Sequence, residues 1–226
     1  PEIAILAGGD ELALPGSTPA PGQIISSNDL AIAALVTAAG GRPHILPIAR
    51  DSEESLLAGF AAARGADLLV TIGGASVGDH DLVAKVAARL GMERDFYMIA
   101  LRPGKPLMAG LLAGMPMIGL PGNPVSAMVC GMVFIQPLIR AMLGLPPGPP
   151  LSRARLAEDL PPEGPRQHYL RARLDPGPDL PLVTPFGNQD SVRLLLLAEA
   201  DALLVRPACD PARKAGEIMD VIPLSP

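Results

Sequence analysis

Three short segments of this chain bring glycine together with proline or charged side chains in ways that suit a phosphate or another oxyanion. Leu120-Pro121-Gly122-Asn123-Pro124 lies between an apolar run, residues 115–120, and a long apolar segment, residues 125–143. Read as strand, tight loop and helix, it puts Asn123 at an N-cap and Pro124 in the first turn, where the missing N–H costs nothing. Gly122 admits a ligand close to the backbone, and a helix start opening from such a loop favours anions. The plainer alternative is a stiff turn with no ligand. Gly73-Gly74-Ala75-Ser76-Val77-Gly78-Asp79-His80-Asp81 places three glycines and a serine ahead of a predicted helix. Its backbone N–H groups suit a phosphate nest. No Gly-Lys-Ser/Thr follows and the glycine spacing is not that of a dinucleotide fingerprint, so the alternative is an ordinary crossover loop. Arg102-Pro103-Gly104-Lys105-Pro106 sets two cations on a stiff turn, fit for an oxyanion or for a basic surface turn.

Carboxylates complete the inventory. Glu11 follows Gly8-Gly9-Asp10, Asp51 follows Arg50, and Asp81 ends the second glycine loop. Grouped together, these three would hold a hard cation such as Mg²⁺ beside a phosphate. Each also has a structural alternative. Asp51 and Glu54 stand at capping-box spacing, Glu11 fits a solvated loop, and Asp79 is the expected cap of the next helix, leaving Asp81 freer to face a ligand. His44, His80 and His168 are scattered. None is assigned to catalysis, and no Ser/His/Asp nucleophile arrangement is legible.

The elements that must position these groups alternate in type. Residues 2–7 read as a short strand ending in Gly8-Gly9, and residues 28–39 as a helix capped by Asn28 and stopped at Gly40-Gly41. Strand 43–48, helix 51–64, strand 67–72, helix 79–90 and strand 96–101 follow. Residues 107–112 and 115–120 read as a hairpin, and a helix starts at Pro124. Repeated βα units predict an α/β fold: a three-layer α/β/α domain with a mostly parallel sheet, made mixed by the hairpin. Ligands of such sheets sit beyond the carboxyl ends of the strands. The loops Gly8–Glu11, Arg50-Asp51, Gly73–Asp81 and Leu120–Pro124 leave such ends, so these four should converge on one rim.

After Leu145 the texture changes. Eleven of the 27 prolines fall between Pro146 and Pro185. Short strand candidates at 152–156, 168–174, 182–184, 202–206 and 217–223 are separated by Pro/Gly/Asp turns, with a helical turn or two at 191–200. This predicts a small all-β, barrel-like domain over residues 146–226, after an α/β domain over 1–145.

Composition narrows the function further. With 226 residues and 49% hydrophobic side chains, the chain can bury full cores. A net charge of −5 gives no basic field for nucleic acid, and 3% aromatics with no Trp gives no stacking platform. Any anion must be held by local geometry. Cys130 and Cys209 form no paired pattern, which fits a reducing, cytoplasmic setting. The apolar segment 125–143 contains Gln136, Pro137 and Arg140, which predicts a buried, Pro-kinked helix rather than a membrane span. The opening Pro-Glu-Ile-Ala-Ile-Leu has no basic stretch before an apolar one, so no signal peptide is expected. It also lacks an initiator Met, which suggests a fragment of a longer chain.

Taken in order, the motifs resemble the molybdopterin molybdenumtransferase family, which includes MoeA and the gephyrin E domain. The matching stretches are Gly9-Asp10-Glu11-Leu12 with Pro15-Gly16, Gly22-Gln23-Ile24 with Asn28, and Arg50-Asp51. Further along come the Gly73–Gly78 loop with Asp81, Arg102-Pro103-Gly104-Lys105-Pro106, Leu120–Ser126, and Gly187-Asn188-Gln189-Asp190-Ser191. The resemblance covers essentially the whole chain. It implies a molybdopterin-binding domain followed by a β-barrel, and the insertion of molybdate into adenylylated molybdopterin with release of AMP, with Mg²⁺ involved. It implies catalytic roles for Glu11, Asp51, Asp81 and Arg102, the three carboxylates also serving the metal. Gly73, Gly74, Ser76, Gly78, Lys105, Pro121, Gly122, Asn123, Pro124 and Ser191 would bind molybdopterin or molybdate. A homodimer is implied, with no nucleic-acid or membrane partner. The chain departs from the family pattern at Ser26, where Asp is usual, and at Met98, where Lys is frequent. It also lacks the family's N-terminal region, which carries active-site residues and dimer contacts. The competing readings are a non-catalytic molybdopterin-binding or scaffold module, and a molybdopterin adenylyltransferase. The latter is disfavoured by the Ala-Ser-Val-Gly sequence after the glycines and by the C-terminal β-domain.

Overall fold

A computed structural model describes residues 1–74, 81–191 and 193–224. The chain forms two compact units, residues 1–99 with 104–148, and residues 100–103 with 149–226.

The first unit is organised by apolar runs too continuous for a half-exposed strand. β1 (Glu2–Ala7) is followed by the two-residue strands β2 (Leu12–Ala13) and β3 (Ile24–Ile25), then α1 (Asn28–Ala38), β4 (Arg42–Ile45), α2 (Glu53–Ala62), β5 (Leu68–Ile72), α3 (Leu82–Arg89) and β6 (Glu93–Tyr97). After β7 (Leu101–Arg102), which belongs to the second unit, come β8 (Met108–Leu112), β9 (Met115–Leu120) and a helix made of α4 (Pro124–Cys130), a π-helical turn (Gly131–Ile135) and α5 (Gln136–Met142). The six-stranded sheet runs β4-β1-β5-β9-β8-β6. β4, β1, β5 and β9 are parallel, whereas β8 and β6 add as antiparallel neighbours. Every residue of β5 is buried, as expected of a parallel strand covered on both faces. Leu6, Leu69, Met108 and Met117 pack with Leu56 and Phe60 of α2 and Val83 and Val86 of α3. On the other face, Cβ atoms built on Gly131 and Gly41 would meet Leu35, Ile32 and Val36 of α1 and Ile139 of α5 within 3.4 Å, so these elements pack closely. The expected three-layer α/β/α domain is therefore present.

Local details correct several sequence expectations. α1 starts after Ser27, with no side-chain cap bond, and the Asn28 amide donates instead to the Gly122 carbonyl at 2.8 Å. α2 is capped by Ser52, whose hydroxyl accepts from the Ser55 N–H, rather than by Asp51. Strand 96–101 is two strands: β6 ends at Tyr97, Met98 takes φ +68°, and β7 joins the second unit. The edge strand β6 is exposed and carries Glu93, Arg94 and Asp95, a charged edge that resists pairing with another chain. Residues 124–142 have a mean hydropathy of 1.6 and the length to cross a membrane, yet half of that stretch is buried inside the structure. The π turn immediately precedes Gln136-Pro137 and absorbs the hydrogen bond that proline cannot make.

The second unit contains β10 (Ser152–Leu156), β11 (Gln167–Asp175), β12 (Leu182–Pro185), α6 (Leu194–Ala198), β13 (Ala202–Arg206) and β14 (Ile218–Pro223). The order β12-β10-β14-β13-β11 closes through β11–β12 into a five-strand barrel, with β7 added in parallel to the start of β11. Ala154, Leu156, Leu170, Ala172, Val183, Leu204 and Val221 fill its interior. Arg171 on the alternate register of β11, and Arg206 at the end of β13 on the same register as Ala202 and Leu204, are the largest fully buried side chains. Arg206 pairs with Asp210, which also accepts from Arg213 at 3.0 Å. Burial opposes ionisation of Asp210, but hydrogen bonds from Arg213 and Arg206 outweigh it and hold the carboxyl below the ordinary range.

A depressed carboxyl pKa contributes stability above the unfolded-state value, and that contribution is lost as pH falls through the folded value. The barrel should therefore lose thermal stability as pH drops below about 4, where an unperturbed Asp titrates. Asp210→Asn should lower the midpoint at neutral pH and flatten this acid limb, as read by thermal melts across pH.

Candidate functional site

β1, β5 and β9 end side by side: Ala7 pairs with Ile72 and Ile72 with Leu120. The turns that leave them are consequently pressed together. The Gly8 N–H donates to the Ile72 carbonyl at 2.9 Å, and the Gly73 N–H to the Leu120 carbonyl at 3.2 Å. Gly73 has φ +81°, and a Cβ there would lie 2.7 Å from the Gly8 carbonyl oxygen. A Cβ on Gly122 would touch the Gly73 Cα at 3.4 Å. The Asn28 side chain ties the Gly122 carbonyl to the start of α1.

Beside these turns lies a cleft that opens to solvent. Its walls include Gly8, Gly73, Gly122 and Pro124, and its polar contributors include Glu11, Ser26 and Asn28. Asn123 occupies the N-cap position of α4 with Pro124 at the first turn, but its side chain makes no cap hydrogen bond. The Asn123 Oδ1 is buried without a partner. A buried acceptor left unpaired costs free energy, so this atom is a plausible contact for a donor that the protein itself does not supply.

The expected carboxylate trio does not assemble among the described residues, where no group of three or more His, Cys, Asp or Glu could hold a metal. The reason is that the three side chains are occupied differently. Glu11 curls over Gly9, where an added Cβ would fall 2.3 Å from its Oε2. The Asp51 Oδ2 accepts from the Asp10 N–H at 3.3 Å, while the Asp51 N–H donates to the Asp10 Oδ1 at 3.2 Å. Asp81 is 3% exposed and, contrary to the expectation that it faces a ligand, caps α3: its Oδ1 accepts from the Ala84 N–H at 2.8 Å and its Oδ2 from the Tyr97 hydroxyl at 2.9 Å. Burial pushes the Tyr97 phenol up, the Asp81 bond and charge add to it, and the nearby Arg94 opposes it. Ser76, Gly78 and the expected cap Asp79 lie outside the described residues.

The two cations expected on one turn belong to different units. Arg102 is in β7, paired in register with His168 of β11, whereas Lys105 is in the first unit. His168 is buried and 3.0 Å from Glu163. Burial lowers its pKa, Glu163 opposes this, and Arg102 and Arg166 push it further down.

Ser191 sits on a turn that Arg171 supports. Its guanidinium donates to the Asp190 and Arg193 carbonyls at 3.0 Å each and to the Gln189 Oε1 at 3.3 Å. Gln189 returns bonds to the Arg171 and Phe186 carbonyls. In the sequence, Arg171 alternates with Leu170 and Ala172 and so reads as solvent-facing; only the covering segment 186–193 makes it buried.

Together these features define a chain with an α/β unit whose glycine turns surround a cleft fit for an anionic ligand, followed by a closed β-barrel. Residues 4–141 match the family described as the probable molybdopterin binding domain, and residues 153–224 match the MoeA C-terminal region (domain IV). The chain belongs to the molybdopterin molybdenumtransferase family. It is 34% identical over 231 residues to a molybdopterin molybdenumtransferase of Nostoc sp. PCC 7120, matching 99% of this chain and 53% of that protein. It is 38% identical over 217 residues to molybdopterin molybdenumtransferase 2 of Mycobacterium tuberculosis, matching 91% and 52%. The crystal structure of a molybdopterin biosynthesis MoeA protein from Pyrococcus horikoshii superimposes with a TM-score of 0.83 at 30% identity, covering 100% of this chain and 55% of that one. The chain thus spans about half the length of the curated relatives it matches.

Gly73→Ala should place a methyl group against the Gly8 carbonyl in a backbone conformation unfavourable to alanine. We expect a loss of about 1–3 kcal/mol in stability, measured by denaturant unfolding, with a smaller loss for Gly122→Ala, whose added Cβ has ordinary contact distance.

Proposed function

We propose that this chain is the molybdopterin-binding portion of a molybdenumtransferase. Its α/β unit seats adenylylated molybdopterin in the cleft at the carboxyl ends of β1, β5 and β9, and the whole protein inserts molybdate and releases AMP. The observation that carries this reading is the convergence of Gly8, Gly73 and Gly122 around a cleft; between its wall residues Gly122 and Pro124 the chain carries an unpaired buried acceptor, the Asn123 Oδ1. Glycine turns without Cβ atoms let a ligand approach the backbone closely, and the adjoining start of the helix at Pro124 favours negative charge. Asn123 and Asn28 suit the polar edge of a pterin, which offers both donors and acceptors. Lys105 in the first unit and Arg102 in the second each suit phosphate or molybdate charge. Stabilisation of the transferring oxyanion would come from position and charge rather than from a covalent intermediate.

The described carboxylates form no protein cage for Mg²⁺. Magnesium held chiefly by substrate phosphates, with one or two carboxylates and waters, is the arrangement compatible with that finding. Glu11 and Asp51 are the residues available for it. The reading further includes a homodimer and a cytoplasmic setting, the latter in keeping with the free thiols of Cys130 and Cys209. A purely non-catalytic module would share the binding but not the molybdate-dependent AMP release.

Calorimetry with adenylylated molybdopterin should show saturable binding to this chain, and no detectable heat or competition at micromolar protein would refute the reading. Asn123→Ala separates ligand contact from fold. Because Asn123 caps nothing, its loss should leave the thermal midpoint unchanged or raised, while weakening binding by about tenfold, the scale of one or two lost net hydrogen bonds. Molybdate-dependent AMP release should be assayed on the longer protein.

A further inference from the structure

We propose that Arg50 is the positioning residue for Glu11, an inference that rests on the ligand-binding reading above. Glu11 lies at the cleft wall on an exposed loop, where no packing holds its side chain. Its backbone, by contrast, is held from both sides. The Arg50 Nη1 donates to the Asp10 carbonyl at 3.4 Å and to the Leu12 carbonyl at 3.2 Å, the two carbonyls that flank Glu11. The Gln23 amide donates to the same Asp10 carbonyl at 3.3 Å, and the Glu11 carbonyl accepts from the Ile24 N–H at 2.7 Å.

Arg50 is itself anchored. Its N–H donates to the Ser55 hydroxyl at 2.9 Å in the first turn of α2. Around it, the Gly9 N–H donates to the Ala49 carbonyl at 3.0 Å, and Asp10 and Asp51 exchange backbone-to-carboxylate bonds. Arg50 forms no ion pair among the described residues, although Asp51 is its sequence neighbour. An exposed arginine adjacent to a carboxylate would ordinarily serve charge pairing or solubility. Here the guanidinium is given to two carbonyls that bracket one acidic residue. The outcome is a fixed direction for Glu11, whose carboxylate lies over Gly9. Asp51 then belongs to the same clamp, since one of its oxygens holds Asp10.

The test compares the wild-type chain with Arg50→Met, Arg50→Lys, Glu11→Gln and the Arg50→Met/Glu11→Gln pair. Binding of adenylylated molybdopterin is measured by calorimetry, and amide hydrogen exchange is measured without ligand. Arg50→Met should weaken binding by about tenfold, the double variant should be no weaker than the weaker single one, and Arg50→Lys should recover part of the loss. Additive losses in the double variant would mean that Arg50 meets the ligand directly or acts through the fold at large, and would overturn the proposal. Wild-type affinity in Arg50→Met would overturn it equally. Exchange reads the clamp independently of any ligand. Amides of Gly9, Leu12 and Ile24 should exchange faster in Arg50→Met while those of β5 stay unchanged. Unaltered exchange at all of them would overturn the positioning role whether or not the ligand binds. A wild-type chain that ignores the ligand while exchange shifts as expected would instead refute the ligand reading and leave the clamp standing.

Discussion

The parallel register of β1, β5 and β9 governs the first unit. Ala7, Ile72 and Leu120 stand level across three neighbouring strands, so three chain turns must begin within a few ångströms of one another. A one-residue slip in any strand would exchange its buried faces and lift its turn out of line. Steric crowding at that level then selects glycine at Gly73, where a Cβ has no room. The cleft follows from the same geometry: backbones approach closely below it, and side chains from β2, β3 and α1 wall it above. Its chemistry is therefore a consequence of sheet register more than of any single motif.

The alternation of strands and helices, the hairpin, and the change to short proline-punctuated strands are all legible in the sequence, because period and breaker residues act locally. The convergence of the Gly8, Gly73 and Gly122 turns is legible too, since parallel strands must release their loops on one side. What escapes a linear reading is the competition for each polar side chain. Asp81 looks like a free carboxylate until α3 and Tyr97 claim both of its oxygens. Asn28 looks like a helix cap until Gly122 proves to be its partner, 94 positions away. Asn123 has the sequence of a cap and the position of one, yet its side chain makes no cap hydrogen bond. Pairings of this kind depend on distant backbone atoms that no spacing rule encodes.

The barrel shows the opposite use of charge. Arg171 is buried on the register facing away from the apolar interior and Arg206 at the end of β13 on the interior register, and their guanidinium groups are met largely by backbone carbonyls and, for Arg206, by Asp210. Desolvating an arginine is costly unless its donors are met, and aliphatic side chains would fill the same volume. The return is directional. Each guanidinium fixes several carbonyls of an irregular segment against a regular strand. Arg171 does so for 186–193 and Arg206 for the segments at Pro161 and Pro211. Loops that carry no periodic pattern of their own gain a defined conformation in this way.

The short strand β7 gives the second unit an unusual covalent topology. Residues 100–103 belong to the barrel although the chain on either side of them belongs to the α/β unit. The barrel is therefore not a contiguous appendage that a single cut could release. A fragment beginning at Pro149 would leave the parallel partner of Gln167 and His168 behind, exposing the first turns of β11 to solvent or to a foreign strand. Recombination between relatives would meet the same constraint: a barrel exchanged at the proline-rich junction would have to accept a strand written into its neighbour's gene segment, so the two regions are bound to change together.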